Sequence, residues 1–140
     1  MEANTSSKTP RTGLSAGLAI YEALSESKEL AGRVTKIYPV FSETVKSPAI
    51  CFRLSAIEPT PMKTPDRATC NDAVEVEVYC IADNYPECVD IAELVRQALD
   101  GLCGETDTGM RLSSCRLTGQ TEDWRDDGYI KLLIFNLSIK

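Results

Sequence analysis

The chain has 140 residues and a mass of 15.4 kDa, one domain's worth of sequence, which excludes a two-domain organisation. With 43% apolar and 26% charged residues it carries enough apolar surface to fold unaided and too little polarity for wholesale disorder. A net charge of −6 disfavours binding to a phosphate backbone, and the absence of histidine removes Ser-His-Asp triads, Cys-His pairs, Cys₂His₂ zinc sites and histidine-based pH switches together.

Residues Met1 to Gly13 are polar and lack both an apolar cluster and the pattern of a signal peptide, so residues 1–13 are expected to form a disordered tail ahead of a single domain over 14–140. No apolar run is long enough to span a bilayer, and no membrane partner is expected. The first periodic segment, Leu14, Gly17, Leu18, Tyr21 and Leu24, widened by Ala16, Ile20 and Ala23, predicts a helix to about Ser27 with that stripe turned to the core. After Gly32, the β-branched run Arg33 to Tyr38, stopped by Pro39, predicts a brief strand near a sheet edge.

A second strand is expected after Pro48, where Ile50, Phe52 and Leu54 alternate with Cys51, Arg53 and Ser55. The stretch Glu58 to Cys70 contains Pro59, Pro61 and Pro65, which forbid regular pairing, and it is too long for a hairpin turn; a partner contact through Pro59, Pro61, Met62, Lys63, Pro65 and Arg67 is the expectation. The third strand has the clearest pattern, with Val74, Val76, Val78 and Cys80 on one face and Glu75, Glu77 and Tyr79 on the other.

Asp83 or Asn84 then caps a second helix, with Pro86 and Glu87 in its first turn. Its stripe is Cys88, Ile91, Ala92, Val95, Leu99 and Leu102; burying the four large aliphatic residues contributes roughly 6–12 kcal/mol before entropy. Met110 to Thr118 reads as a strand with imperfect alternation and a bulge near Ser113 and Ser114. Asp126-Asp127-Gly128 marks a turn into a long final strand, Tyr129 to Lys140, where Leu133, Phe135, Leu137 and Ile139 share a face while Ile130, Leu132 and Ile134 make the other face apolar too. The sum is an α+β domain in the order α-β-β-β-α-β-β, an antiparallel or mixed sheet of four to five strands with two helices on one face.

Six cysteines occur without a Cys-x-x-Cys pair, so free thiols are expected, with Cys80 and Cys88 in the core and no metal or other cofactor. The acids Glu122, Asp123, Asp126 and Asp127, with Glu105 and Asp107, could supply a general acid and base, which leaves a small cytosolic binding module or hydrolase as the alternative function; carboxylates around a turn are more commonly just solvated. Trp124 is either a cap on part of the core, the favoured expectation, or an interface anchor. Glu75, Glu77, Tyr79, Ile130 and Leu132 together would make a semi-apolar sheet face suited to subunit packing.

The segments Gly32 to Pro39, Ser47 to Phe52, Val74 to Cys80, and the helix Cys88 to Leu99 ending in Leu99-Asp100-Gly101 resemble, in that order, the tail-completion proteins of tailed bacteriophages, which include tail terminators and tail-to-head joining proteins. The resemblance spans about Leu14 to Ile139. It implies a non-enzymatic virion protein, assembled in the host cytoplasm as a ring of six copies. Such a ring caps the major tail tube protein, docks the head-completion protein and lets genomic DNA pass through its lumen without specific binding. A 140-residue domain has a diameter of roughly 37 Å, and six in a ring leave a hole of similar width, enough for duplex DNA.

Overall fold

The computed structural model describes residues 12–40, 45–59, 72–106, 110–125 and 128–139. A short 3₁₀ turn, Gly13–Ser15, leads into helix α1, Ala16–Glu26, and a four-residue helix α2, Lys28–Ala31. Strands β1, Lys36–Pro39, β2, Ala49–Glu58, and β3, Asp72–Ala82, precede helix α3, Tyr85–Leu99. Strands β4, Gly104–Glu105, β5, Arg111–Arg125, and β6, Gly128–Ile139, complete one sheet in the order β1-β2-β3-β6-β5-β4. The α+β class holds, but the sheet has six strands where four to five were expected, because two residues after α3 add β4 at an edge. It is mixed: β1 runs parallel to β2 and every other pair is antiparallel.

One face of this sheet holds the core. Ile50 and Phe52 of β2, Val74, Val76, Val78 and Cys80 of β3, and Leu133, Phe135, Leu137 and Ile139 of β6 lie under Ile20 and Leu24 of α1 and Ile91, Val95 and Leu99 of α3. The α3 stripe is buried as its spacing predicts, and Asn84 caps it, its side chain accepting from the Glu87 N–H at 2.9 Å. Leu102 falls beyond the helix and is only half-buried.

Helix α1 departs from its predicted orientation. Its buried face is Ala16, Ala19, Ile20 and Leu24, whereas Leu18 and Tyr21, with Leu14 of the preceding 3₁₀ turn, stay exposed. The helix is apolar over most of its circumference, so periodicity cannot choose a face; the small Ala16 and Ala19 let its backbone approach the sheet closely. Gly13, expected in the disordered tail, is buried instead and donates its N–H to Asp72 Oδ2 at 2.7 Å.

Three register shifts explain where alternation fails. They fall between Leu54 and Ala56, Leu112 and Ser114, and Leu117 and Gly119, so Ser55, Ser113 and Thr118 are the inserted residues. Two of the hydroxyls donate to a carbonyl on the adjoining strand, Ser113 to Ser138 at 3.2 Å and Thr118 to Ile134 at 3.2 Å, while Ser55 gives its proton to the Glu75 carboxylate at 2.7 Å and lies 3.3 Å from the Glu75 carbonyl. A Ser or Thr at a bulge thus gives the carbonyl opposite a donor where the ladder is interrupted. The bulge expected near Ser113 and Ser114 is present, and the second, at Thr118, lets the strand run on to Arg125 rather than stop.

Candidate interaction surfaces

The sheet face away from the helices is built by the alternate residues of the same strands. Register places Tyr79 beside Leu132, Ile81 beside Ile130 and Glu77 beside Ile134. All six are half-buried. Beside this apolar row, Arg53 Nε donates to Glu77 Oε1 at 2.8 Å and the Tyr79 hydroxyl donates to the same oxygen at 2.7 Å. The Tyr79 hydrogen bond, reinforced by Arg53, holds the Glu77 carboxyl below the usual carboxylate range. Burial, then the neighbouring carboxylate, raises the Tyr79 phenol, keeping it a donor. Glu75 accepts from Ser55 Oγ at 2.7 Å. Tyr79, Ile130 and Leu132, with Thr121, Asp123 and Arg125, line an open groove of about 400 Å³ on this face.

The β5–β6 hairpin carries a second groove of about 380 Å³ on the helix side, between its tip and the start of α3. Tyr85 packs edge-on against Tyr129 with ring centroids 5.7 Å apart, and its hydroxyl donates to Glu122 Oε2 at 2.6 Å. Lys131 Nζ reaches the same carboxylate at 2.7 Å and Gln120 Oε1 at 2.8 Å. The Lys131 and Tyr85 bonds lower the Glu122 pKa. Trp124 borders this groove and is 56% exposed, which corrects its expected place as a core cap: it pairs with Tyr129 at the end of the hairpin, beside the start of α3 rather than under it.

The structure therefore brings together Glu75, Glu77, Tyr79, Ile130 and Leu132 on one sheet face, as their alternation predicts, and puts Trp124 on the other side of the hairpin. Pro59 is exposed just past β2; Pro61, Met62, Lys63, Pro65 and Arg67 lie outside the described residues, as do Asp126 and Asp127. Of the acidic cluster, Glu122 is bonded to Lys131 and Tyr85, and Asp123 accepts from Arg125 Nε at 3.0 Å. Tyr85 and the exposed α1 residues were not marked as surface features by the sequence; an aromatic at a helix N-terminus and a helix apolar all round were the available signals.

Of the six cysteines expected to be free thiols, Cys51, Cys80, Cys88, Cys103 and Cys115 are so and Cys70 lies outside the described residues; Cys80 and Cys88 are buried in the core, where the Cys88 thiol donates to the Cys80 carbonyl at 3.2 Å. Burial pushes the thiols of Cys51 and Cys115 up to about 11 and about 12. Among the described residues no group of three or more His, Cys, Asp or Glu side chains is placed to hold a metal ion, and no helix is long and apolar enough to cross a membrane.

The fold is similar to that of a chain in a solved structure described as "Virion of native gene transfer agent (GTA) particle", with a TM-score of 0.66 at 17% identity over 88% of this chain and 92% of that one. No protein-family model and no curated protein matches the chain. At this identity the likeness is one of fold, and it runs nearly end to end through both chains.

Proposed function

We propose that this chain is a structural component of a phage-like virion, a tail terminator or head-to-tail joining protein. It acts as a ring, of six copies by the family resemblance, that caps the tail tube, docks the head and leaves a passage for the genome. The observation that carries this reading is the fold shared along almost the whole length of a chain from a gene transfer agent virion. The domain is matched as a unit, so the resemblance is not one of a common submotif.

The surfaces support the same reading. The half-buried apolar row on the helix-free face and the exposed aromatic hairpin tip are suited to packing against other protein, and the acids nearest the tip are already engaged by Lys131, Tyr85 and Arg125. The protein works without enzymatic turnover, with the Pro59 to Arg67 segment reaching a neighbouring ring. The test is electron microscopy of tail tubes assembled with and without the protein: capped tubes of uniform length carrying a plug at one end are expected. Tubes that extend and join heads equally well in its absence would refute the assignment.

A further inference from the structure

On the reading of this chain as the cap of a tail tube, we infer that the outer edge of β5 between Thr118 and Trp124 takes an extended segment of the tube subunit as an added strand. β4 covers only Arg111 and Leu112 of that edge. Next to it the Gly101 N–H donates to the Cys115 carbonyl at 2.7 Å, and the Leu117 N–H donates to Asp100 Oδ1 at 3.0 Å. At the far end the Trp124 N–H donates to Asp123 Oδ1 at 2.8 Å. Backbone groups alternate in direction along a strand. With Leu117 and Trp124 turned outward on either side of the Thr118 bulge, Gln120 and Glu122 turn outward as well. Among the described residues nothing meets their two N–H and two C=O groups. The run from Gly119 to Arg125 has no bulge, no proline and no residue of positive φ.

Donors and acceptors alternating in this way are answered by an extended backbone. No described strand of a second copy supplies one. The β1 edge is stopped by Pro39, which has no N–H, and by Val40 at φ 63°; beyond β1, β2 is interrupted by the Ser55 bulge and then by Pro59; β4 has two residues. A two-fold pairing of β5 with itself that uses both Gln120 and Glu122 sets Glu122 opposite Glu122 when centred there. Centred on Thr121 or further back, it runs Arg125 toward the place that Asp100 already holds beside Leu117. One open edge and one closed edge suit a cap on a polymer, because the chain receives the last strand and offers none to a further subunit. The flanks of the window set the side chains of that strand. Glu122 and Asp123 are bonded to Lys131 and Arg125, so the strand needs no charge there. Gly119 leaves the half-buried Ile134 bare on the helix-free face, with Ile134 Cδ1 3.8 Å from where a Cβ would stand. A large apolar side chain opposite Gly119 fills that gap, as aromatic residues do beside edge glycines.

The test is amide hydrogen exchange of the full-length protein, free and mounted on tail tubes, with full-length Gln120→Pro and Gln120→Ala proteins beside it. In the free chain the Gln120 and Glu122 amides are expected to exchange readily, and on the tube both slow by about 100-fold or more, while the Thr121 amide, turned to β6, is slow in both. Proline at position 120 removes an outward N–H and leaves the β6 ladder whole. That variant is expected to fold, which circular dichroism checks, and to hold tubes about 10-fold or more weakly than Gln120→Ala, which loses the same side-chain bond to Lys131. Should it fail to fold, exchange of the wild-type amides decides alone. Protection already present in the free chain means that another part of this chain covers the edge. Amides left unprotected on the tube, or two variants that hold tubes equally, mean that no strand is added, and a free dimer lost in Gln120→Pro gives the edge to a second copy. Each of these results overturns the inference while the virion reading stands. A wild type that never attaches to tubes overturns both.

Discussion

Replacing Gly13 by alanine probes the contact that ties the start of the chain to the sheet. A Cβ at Gly13 would lie 2.8 Å from Asp72 Cβ, 2.8 Å from Ile57 Cδ1 and 2.9 Å from Asp72 Oδ2, where ordinary contacts run from 3.4 to 4 Å. The first turn must therefore move by half an ångström or more, and the 2.7 Å bond from Gly13 N–H to the buried Asp72 carboxylate goes with it. Loss of a hydrogen bond to a charged group costs about 1.5–3 kcal/mol. Overpacking adds about 1–3 kcal/mol, and the stiffer unfolded chain offsets about 0.4–1 kcal/mol of that. The net loss is about 2–5 kcal/mol, a fall in Tm of at least about 6 °C for a domain of this size. Urea denaturation followed by circular dichroism measures it. In an Asp72→Ala background the same substitution should cost less by the hydrogen bond's share, about 1.5–3 kcal/mol. A Gly13→Ala protein within about 0.5 kcal/mol of wild type would refute the reasoning.

Thr118→Val keeps the side-chain shape at a bulge and removes its bond to the Ile134 carbonyl, so urea denaturation should show a loss of about 0.5–1.5 kcal/mol. Iodoacetamide at pH 8 followed by peptide mapping should modify Cys103, which is exposed, well before Cys51 and Cys115, whose thiols stay protonated and buried; equal labelling would show that the core opens. Because the Glu77 carboxyl is held below its unfolded value, its contribution is complete above the ordinary carboxylate range and is lost as pH falls through the lowered folded value. Glu77→Gln should thus flatten the acid limb of a stability-against-pH curve; a limb unchanged in slope would mean that the Tyr79 and Arg53 bonds do not act in solution.

Local pattern made part of this molecule legible. In β3, Val74, Val76, Val78 and Cys80 alternate without interruption and face the core as they read, and α3 announces itself through Asn84, Pro86 and the stripe from Cys88 to Leu99. Where the signal failed, the cause is physical. The bulge at Thr118 reverses the phase of β5: strict alternation from Leu117 would put Trp124 on the helix-free face, the bulge turns it to the helix side, and its place at the end of the hairpin leaves it 56% exposed although a large aromatic reads as core. Helix α1 has apolar residues on nearly every side, and only packing against α3, β1 and β2 decides that Ala16 and Ala19 turn inward while Leu18 and Tyr21 turn outward. The parallel pairing of β1 with β2 and the two-residue β4 are choices of tertiary packing that no local spacing encodes. Of the interaction surfaces, alternation alone could find the Tyr79, Ile130 and Leu132 face, because it lies on regular strands; the tip formed by Tyr85 and Trp124 joins residues 39 positions apart and needs the fold to assemble it.

The central claim is that this protein acts by fitting against copies of itself and a tube end. Native mass spectrometry of the purified wild-type chain across a concentration series, with and without tail tubes, tests it most directly. A single closed species at about six times the 15.4 kDa chain mass is the predicted result. A 15.4 kDa monomer at all concentrations, unchanged by the tubes and never bound to them, would contradict it.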